Sequence, residues 1–148
     1  MPLIELGLNP IPVDVELDTL NMSSRTLLAT LQRSPVKLLF LTNLLGFCDD
    51  IDNIKEFCDK NKIVLIEDNC ESLGTIYKRK KLGNFGLAST FSFYIAHHLS
   101  TIEGGAVCTG DEDIAVMLKL VRAHGGDRNL SAAKQQELRS RYGVASSF

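Results

Sequence analysis

Two apolar runs and the amphipathic stretch between them constrain this chain most. "VKLLFLT" (36–42) and "KIVLIED" (62–68) are each long enough for one strand and nearly continuous in apolar residues. Continuous runs of this kind predict strands buried on both faces. Between them, "DIDNIKEFCDKN" (50–61) places Ile51, Ile54, Phe57 and Cys58 on one helical face. Strand, helix, strand in that order is a βαβ unit with parallel strands and a right-handed crossover.

The flanking sequence extends this unit. Upstream, "IPVDVELDTLNM" (11–22) begins with a period of two and predicts an extended piece. Ser23 and Ser24 then stand as N-caps before a helix over 25–34, which Pro35 ends. Downstream, "TIYKRKKLG" predicts a basic, exposed hairpin. "LASTFSFY" (87–94) and "GGAVCT" (104–109) are two more strand candidates. "GDEDIAVMLKLVRAHGG" (110–126) has acids in its first turn, Arg122 and His124 near its end and a glycine pair after it, which matches both ends of a helix dipole. The remainder, 127–148, is polar and predicts a loose tail. The fold class is α/β, a mainly parallel sheet flanked by helices.

Composition narrows the function classes. The 148 residues carry a formal net charge of −2 and no basic stripe, so nothing asks for nucleic acid or an anionic membrane. The longest apolar run is too short to span a bilayer. The N-terminus lacks the basic start of a secretory signal. Cys48, Cys58, Cys70 and Cys108 form no CxxC pair, and reduced thiols in a cytoplasmic protein fit them best.

In open sheets of this class, ligands bind at the carboxyl ends of the strands. That edge collects 43–46, 68–71 and 94–98. Asp68 ends a buried strand, where a carboxylate can face a cationic ring nitrogen or a metal, cap the next turn, or simply meet solvent. His97 and His98, two of only three histidines, follow the third strand. They lack partners at zinc spacing, which leaves packed or exposed residues on one hand and a general acid/base on the other.

The stretch "IEDNCESLG…GNFGLASTFSFYIAHHLSTIEGGAVCT" resembles the DegT/DnrJ/EryC1/StrS family of sugar aminotransferases and dehydratases, over about residues 11–130. The resemblance implies a pyridoxal-phosphate enzyme with the large domain of the aspartate-aminotransferase fold (fold type I). Transaminases of the family carry a Schiff-base lysine six residues after the first Phe of "FSF". Counted from Phe91, that position is His97. An imidazole forms no stable Schiff base, so the resemblance implies cofactor (PLP or PMP) held noncovalently, with His97 as base. It also implies that Asp68 pairs with the pyridinium nitrogen, that Glu71 stands near the ring, and that Ser92 contacts the phosphate. No metal is implied.

The histidine-for-lysine branch comprises 3-dehydratases of nucleotide-linked 4-keto-6-deoxy sugars, which act in deoxysugar and lipopolysaccharide biosynthesis. "NLLG", "EDNCES" and "RAHG", and the lack of cysteines after residue 108, make the chain similar to the cluster-free type that acts on GDP-4-keto-6-deoxymannose and is regenerated by glutamate. Full-length relatives are homo-oligomers by the same resemblance. Family members are longer, so residues 1–130 are expected to be a partial cofactor-binding domain, without the N-terminal phosphate loop and the small C-terminal domain, and 131–148 a tail. The alternative reading is a truncated, inactive remnant that at most associates with a full-length relative.

Overall fold

The computed structural model describes residues 2–32 and 35–145. These form two compact units that divide between Cys108 and Thr109. In the first, α1 (Pro2–Glu5) and α2 (Ser24–Leu31) precede β1 (Leu38–Thr42). A 3₁₀ turn (Leu44–Gly46) leads to α3 (Ile51–Lys60), β2 (Val64–Asp68), a hairpin of β3 (Ile76–Tyr77) and β4 (Lys80–Lys81), then β5 (Ala88–Ser92) and β6 (Gly105–Thr109). The main sheet has the order β1-β2-β5-β6. β1 pairs β2, and β2 pairs β5, in parallel. The expected βαβ unit and the α/β class are therefore present.

One face of the sheet builds the core. Leu39 and Leu41 of β1 and Leu65 of β2 pack with Leu27 of α2 and with Ile51, Ile54 and Cys58 of α3. The helical spacing in the sequence is the cause, because only one stripe of α3 is apolar. Leu82 and Phe85 complete the cluster. The opposite face corrects the sequence reading. β1 and β2 are not buried on both faces: Leu38, Phe40 and Val64 are exposed, alternating with their buried neighbours. A continuous apolar run cannot reveal by itself that only one side is covered.

Polar contacts fix the chain around this core. Ser23 caps α2 in a reciprocal box with Thr26, 3.2 Å from Thr26 N to Ser23 Oγ and 3.1 Å from Ser23 N to Thr26 Oγ1. α2 stops at Leu31, and residues 33–34 of the expected helix lie outside the described residues. Asp50, at the start of α3, accepts from Ser24 N at 2.7 Å and Ser24 Oγ at 2.6 Å, so one carboxylate ties the two helix starts together. Burial pushes the Asp50 carboxyl up, but the bonds from Ser24 and Asn53 outweigh it and hold it below the ordinary range. The stretch 11–22 forms no strand: it is irregular up to a turn at 17–19, because it finds no pairing partner.

The basic hairpin is exposed as expected, yet it is anchored. Tyr77 Oη donates to Asp52 Oδ1 and Lys78 Nζ to Asp52 Oδ2, each at 2.7 Å. The Tyr77 ring also meets Phe85 edge-on.

In the second unit, α4 (Glu112–Arg122) is capped by Asp111, whose side chain accepts from Ile114 N. The polar stretch expected as a loose tail contains α5 (Ala132–Tyr142), capped by Ser131 and closed by Gly143 at φ +66°. Asp127 clasps Arg139 of α5 through two hydrogen bonds of 2.7 and 2.9 Å. Hydrophobic periodicity missed α5 because the helix has almost no apolar stripe; its caps were the signal. Among the described residues, no helix is long and apolar enough to cross a membrane.

Candidate functional site

Three strand ends converge at the carboxyl edge of the sheet. Asn43 N, just past β1, donates to Asp68 O, and Asn69 N, just past β2, donates to Thr90 O, both at 2.9 Å. Behind them lies a buried polar layer. Asn43 Nδ2 donates to Asn69 Oδ1 at 2.8 Å, and Ser72 Oγ donates to Asn43 O at 2.5 Å. Asn21 Oδ1 accepts from Leu44 N at 2.7 Å. Buried polar groups require such partners, and here the partners hold the loop after β1 against the loop after β2.

Asp68 is half-buried at the last position of β2. Its register partner is Thr90, so the two side chains share the sheet face opposite α3. Thr90 Oγ1 and Cys70 N both donate to Asp68 Oδ1, each at 3.1 Å. Oδ2 takes neither of these bonds. Two residues beyond Thr90, Ser92 lies on the same face by strand alternation, and its Oγ accepts from Tyr94 N at 3.2 Å. The Cys70 thiol is pushed up to about 11 by burial first and by the neighbouring Asp68 second.

The other expected residues fall around this edge. Glu71 Oε2 accepts from Leu45 N at 3.0 Å, and Leu45 itself has left-handed backbone at φ +55°. Glu71 thus braces the loop after β1. His97 lies in the turn after β5, where its N–H donates to Tyr94 O at 3.0 Å and its half-buried ring meets the Tyr94 ring edge-on. His98 is exposed. Among the described residues, no group of three or more His, Cys, Asp or Glu side chains could hold a metal ion.

Two residues escaped the sequence reading. Thr90 could be found only from the β2–β5 register, which one sequence does not show. Glu67 was visible in principle. It shares inward parity with Leu65 and lies fully buried. Its carboxylate accepts from Gly83 N at 2.6 Å and from Phe85 N and Gly86 N at 2.7 Å. This cradle shapes the turn that feeds β5. Gly86 is required there, since a Cβ on it would stand 2.6 Å from Leu65 O.

The donor set fits a pyridoxal-phosphate cofactor. A carboxylate with one oxygen tied and one left over suits a ring N–H, a serine on the same face suits a phosphate oxygen, and an imidazole follows in the next turn.

Comparison with known proteins identifies the family. A model of the DegT/DnrJ/EryC1/StrS aminotransferase family matches residues 1–146. The GDP-4-keto-6-deoxy-D-mannose 3-dehydratase of Escherichia coli O55:H7 is 41% identical over 129 residues, covering 87% of this chain and 33% of that enzyme. The enzyme of the same name from Yersinia pseudotuberculosis is 40% identical over 129 residues, with 87% and 33% covered. A solved structure of the E. coli dehydratase with bound hydrated PLP superposes with a TM-score of 0.81 at 41% identity, over 88% of this chain and 33% of that one. The chain therefore spans about a third of the length of the curated relatives it matches.

Proposed function

The chain belongs to the DegT/DnrJ/EryC1/StrS aminotransferase family, and from that premise we propose that it carries cofactor-binding and catalytic residues of a PMP/PLP-dependent nucleotide-sugar 3-dehydratase. The substrate class is an NDP-4-keto-6-deoxyhexose, GDP-linked by likeness to the dehydratases above, which loses its C3 hydroxyl. Glutamate is the amino donor that regenerates the cofactor, the working form is a homo-oligomer, and the reaction is cytoplasmic.

The observation that carries this reading is Asp68: a carboxylate at the carboxyl edge, locked through Oδ1, with Oδ2 left over on the face that Ser92 shares. When bound, the cofactor supplies an amine for a sugar ketone and a ring that accepts electrons once its nitrogen is protonated. Asp68 accepts the ring N–H and keeps that proton in place. Ser92 Oγ donates to the phosphate. Glu71, with Oε2 taken by Leu45, keeps Oε1 for the ring edge. His97 stands where the family's lysine stands. It removes the proton from the cofactor's C4′ carbon, and its neighbour Tyr94 braces the ring.

The test is His97→Asn in the complete protein, loaded with pyridoxamine 5′-phosphate labelled with deuterium at C4′ and supplied with a GDP-linked 4-keto-6-deoxy sugar as the carbonyl partner. The reading predicts that exchange with solvent falls about a hundredfold or more, the typical share of a general base. Unchanged exchange removes His97 from the base role.

A further inference from the structure

Asp68 is held by more than its place on β2, and the way it is held assigns a task to a residue outside the proposed cofactor set. A carboxylate turns easily about its last torsion, whose wells are broad and two-fold, so its two oxygens are normally equivalent. Here they are not. Thr90 Oγ1 and Cys70 N both donate to Oδ1, and Oδ2 receives neither bond. The Cys70 contact belongs to the tight backbone turn two residues on, and any residue at position 70 other than proline would supply it. The Thr90 contact is specific. It comes from the adjacent strand, from the register partner of Asp68, and from a hydroxyl that a valine of the same shape lacks.

Thr90 is itself fixed. β-branching leaves few χ1 wells, its carbonyl accepts from Asn69 N at 2.9 Å, and its Oγ1 lies 3.9 Å from Cys70 Sγ. A carboxylate oxygen only accepts, so the Thr90 hydroxyl proton is directed at Asp68 Oδ1.

We infer that Thr90 is a positioning residue, which selects the carboxylate oxygen of Asp68 that faces the cofactor's ring nitrogen. This rests on the proposed cofactor reading, in which Asp68 Oδ2 accepts the ring N–H. Thr90 touches Asp68 and acts through it. Without the hydroxyl the carboxylate rotates, and the ring nitrogen meets a mixture of orientations.

The experiment uses the full chain with Thr90→Val, Thr90→Ser and Asp68→Asn. Crystal structures without ligand report the Asp68 torsion, and titration with pyridoxamine 5′-phosphate reports affinity and the absorbance band of the bound ring. Thr90→Val is expected to turn the Asp68 carboxylate while leaving the strand pairing intact. It should weaken the cofactor about tenfold, the scale of one hydrogen bond to a charged group, and shift the band. Thr90→Ser should restore orientation, affinity and band, which lost packing alone would not allow. An Asp68 torsion unchanged in Thr90→Val overturns the inference. So does a turned carboxylate with unaltered affinity while Asp68→Asn weakens binding. Asp68→Asn without effect on binding refutes the cofactor reading itself, a result separable from the torsion seen in the unliganded crystals.

Discussion

Replacing Glu67 by Gln changes one functional group inside a fully buried cradle. Glu67 Oε1 accepts from both Phe85 N and Gly86 N, and Oε2 accepts from Gly83 N. The glutamine oxygen will take the Oε1 place, where two donors converge. Its NH₂ group then faces the Gly83 N–H, donor against donor. One charge-assisted bond is lost, worth about 1.5–3 kcal/mol, and the two opposed donors left without acceptors cost about 1–3 kcal/mol more. Removing a buried charge offsets part of this. The net expectation is a loss of about 2–4 kcal/mol, a large share of the roughly 5–15 kcal/mol available to a domain. In urea unfolding followed by circular dichroism, that moves the midpoint down by about 1–2 M. Glu56→Gln, at an exposed position on α3, serves as the control and stays within about 0.5 kcal/mol of wild type. A Glu67→Gln midpoint no lower than that control would refute the idea that this carboxylate holds the turn before β5.

Further outcomes follow from the same geometry. Gly86→Ala drives a Cβ to 2.6 Å from Leu65 O, so it should lose about 1–3 kcal/mol in the same urea assay; an unchanged midpoint contradicts the close approach. Asp52 is held at about 2, below the ordinary 3.8, by the bonds from Lys78 and then Tyr77. A depressed folded-state value means that this contribution is complete above pH 3.8 and disappears as the pH falls through about 2. Carbon-detected NMR of the Asp52 carboxyl should show the low midpoint, and a midpoint near 3.8 would show that the hairpin anchor is not formed. A thiol reagent at mildly alkaline pH should modify the exposed Cys108 first and spare Cys58 and Cys70, whose thiols burial pushes up to about 11; early labelling of Cys70 would contradict its place behind Asp68. The outer sheet face exposes Leu38, Phe40 and Val64 together, so light scattering should show concentration-dependent association that Phe40→Glu reduces.

The sequence made some of this legible and hid the rest for identifiable reasons. The βαβ unit was readable because Ile51, Ile54 and Cys58 repeat at helical spacing between two apolar runs, and all three are buried. The carboxyl edge followed from that topology. What lay beyond reach depends on pairing. The exposed outer face at Leu38, Phe40 and Val64 looks, in sequence, like any doubly buried strand. The bond between Thr90 and Asp68 exists only through the parallel register of β2 and β5. α5 lacked periodicity, while Ser131 and Gly143 at its ends were overlooked capping signals. Glu71 was placed near a ring by resemblance, and the structure adds its bond to Leu45 N, made possible by a left-handed residue that no pattern announced.

Cofactor retention tests the central claim most directly. The complete protein is mixed with pyridoxamine 5′-phosphate, desalted, and its absorbance spectrum recorded beside Asp68→Asn; a parallel sample with pyridoxal 5′-phosphate is reduced with borohydride and its peptides mapped. The prediction is stoichiometric, noncovalent retention that Asp68→Asn loses, with no lysine carrying reduced cofactor. A folded complete protein that releases all of its cofactor, or a labelled lysine, would contradict a noncovalent site built on Asp68 and His97.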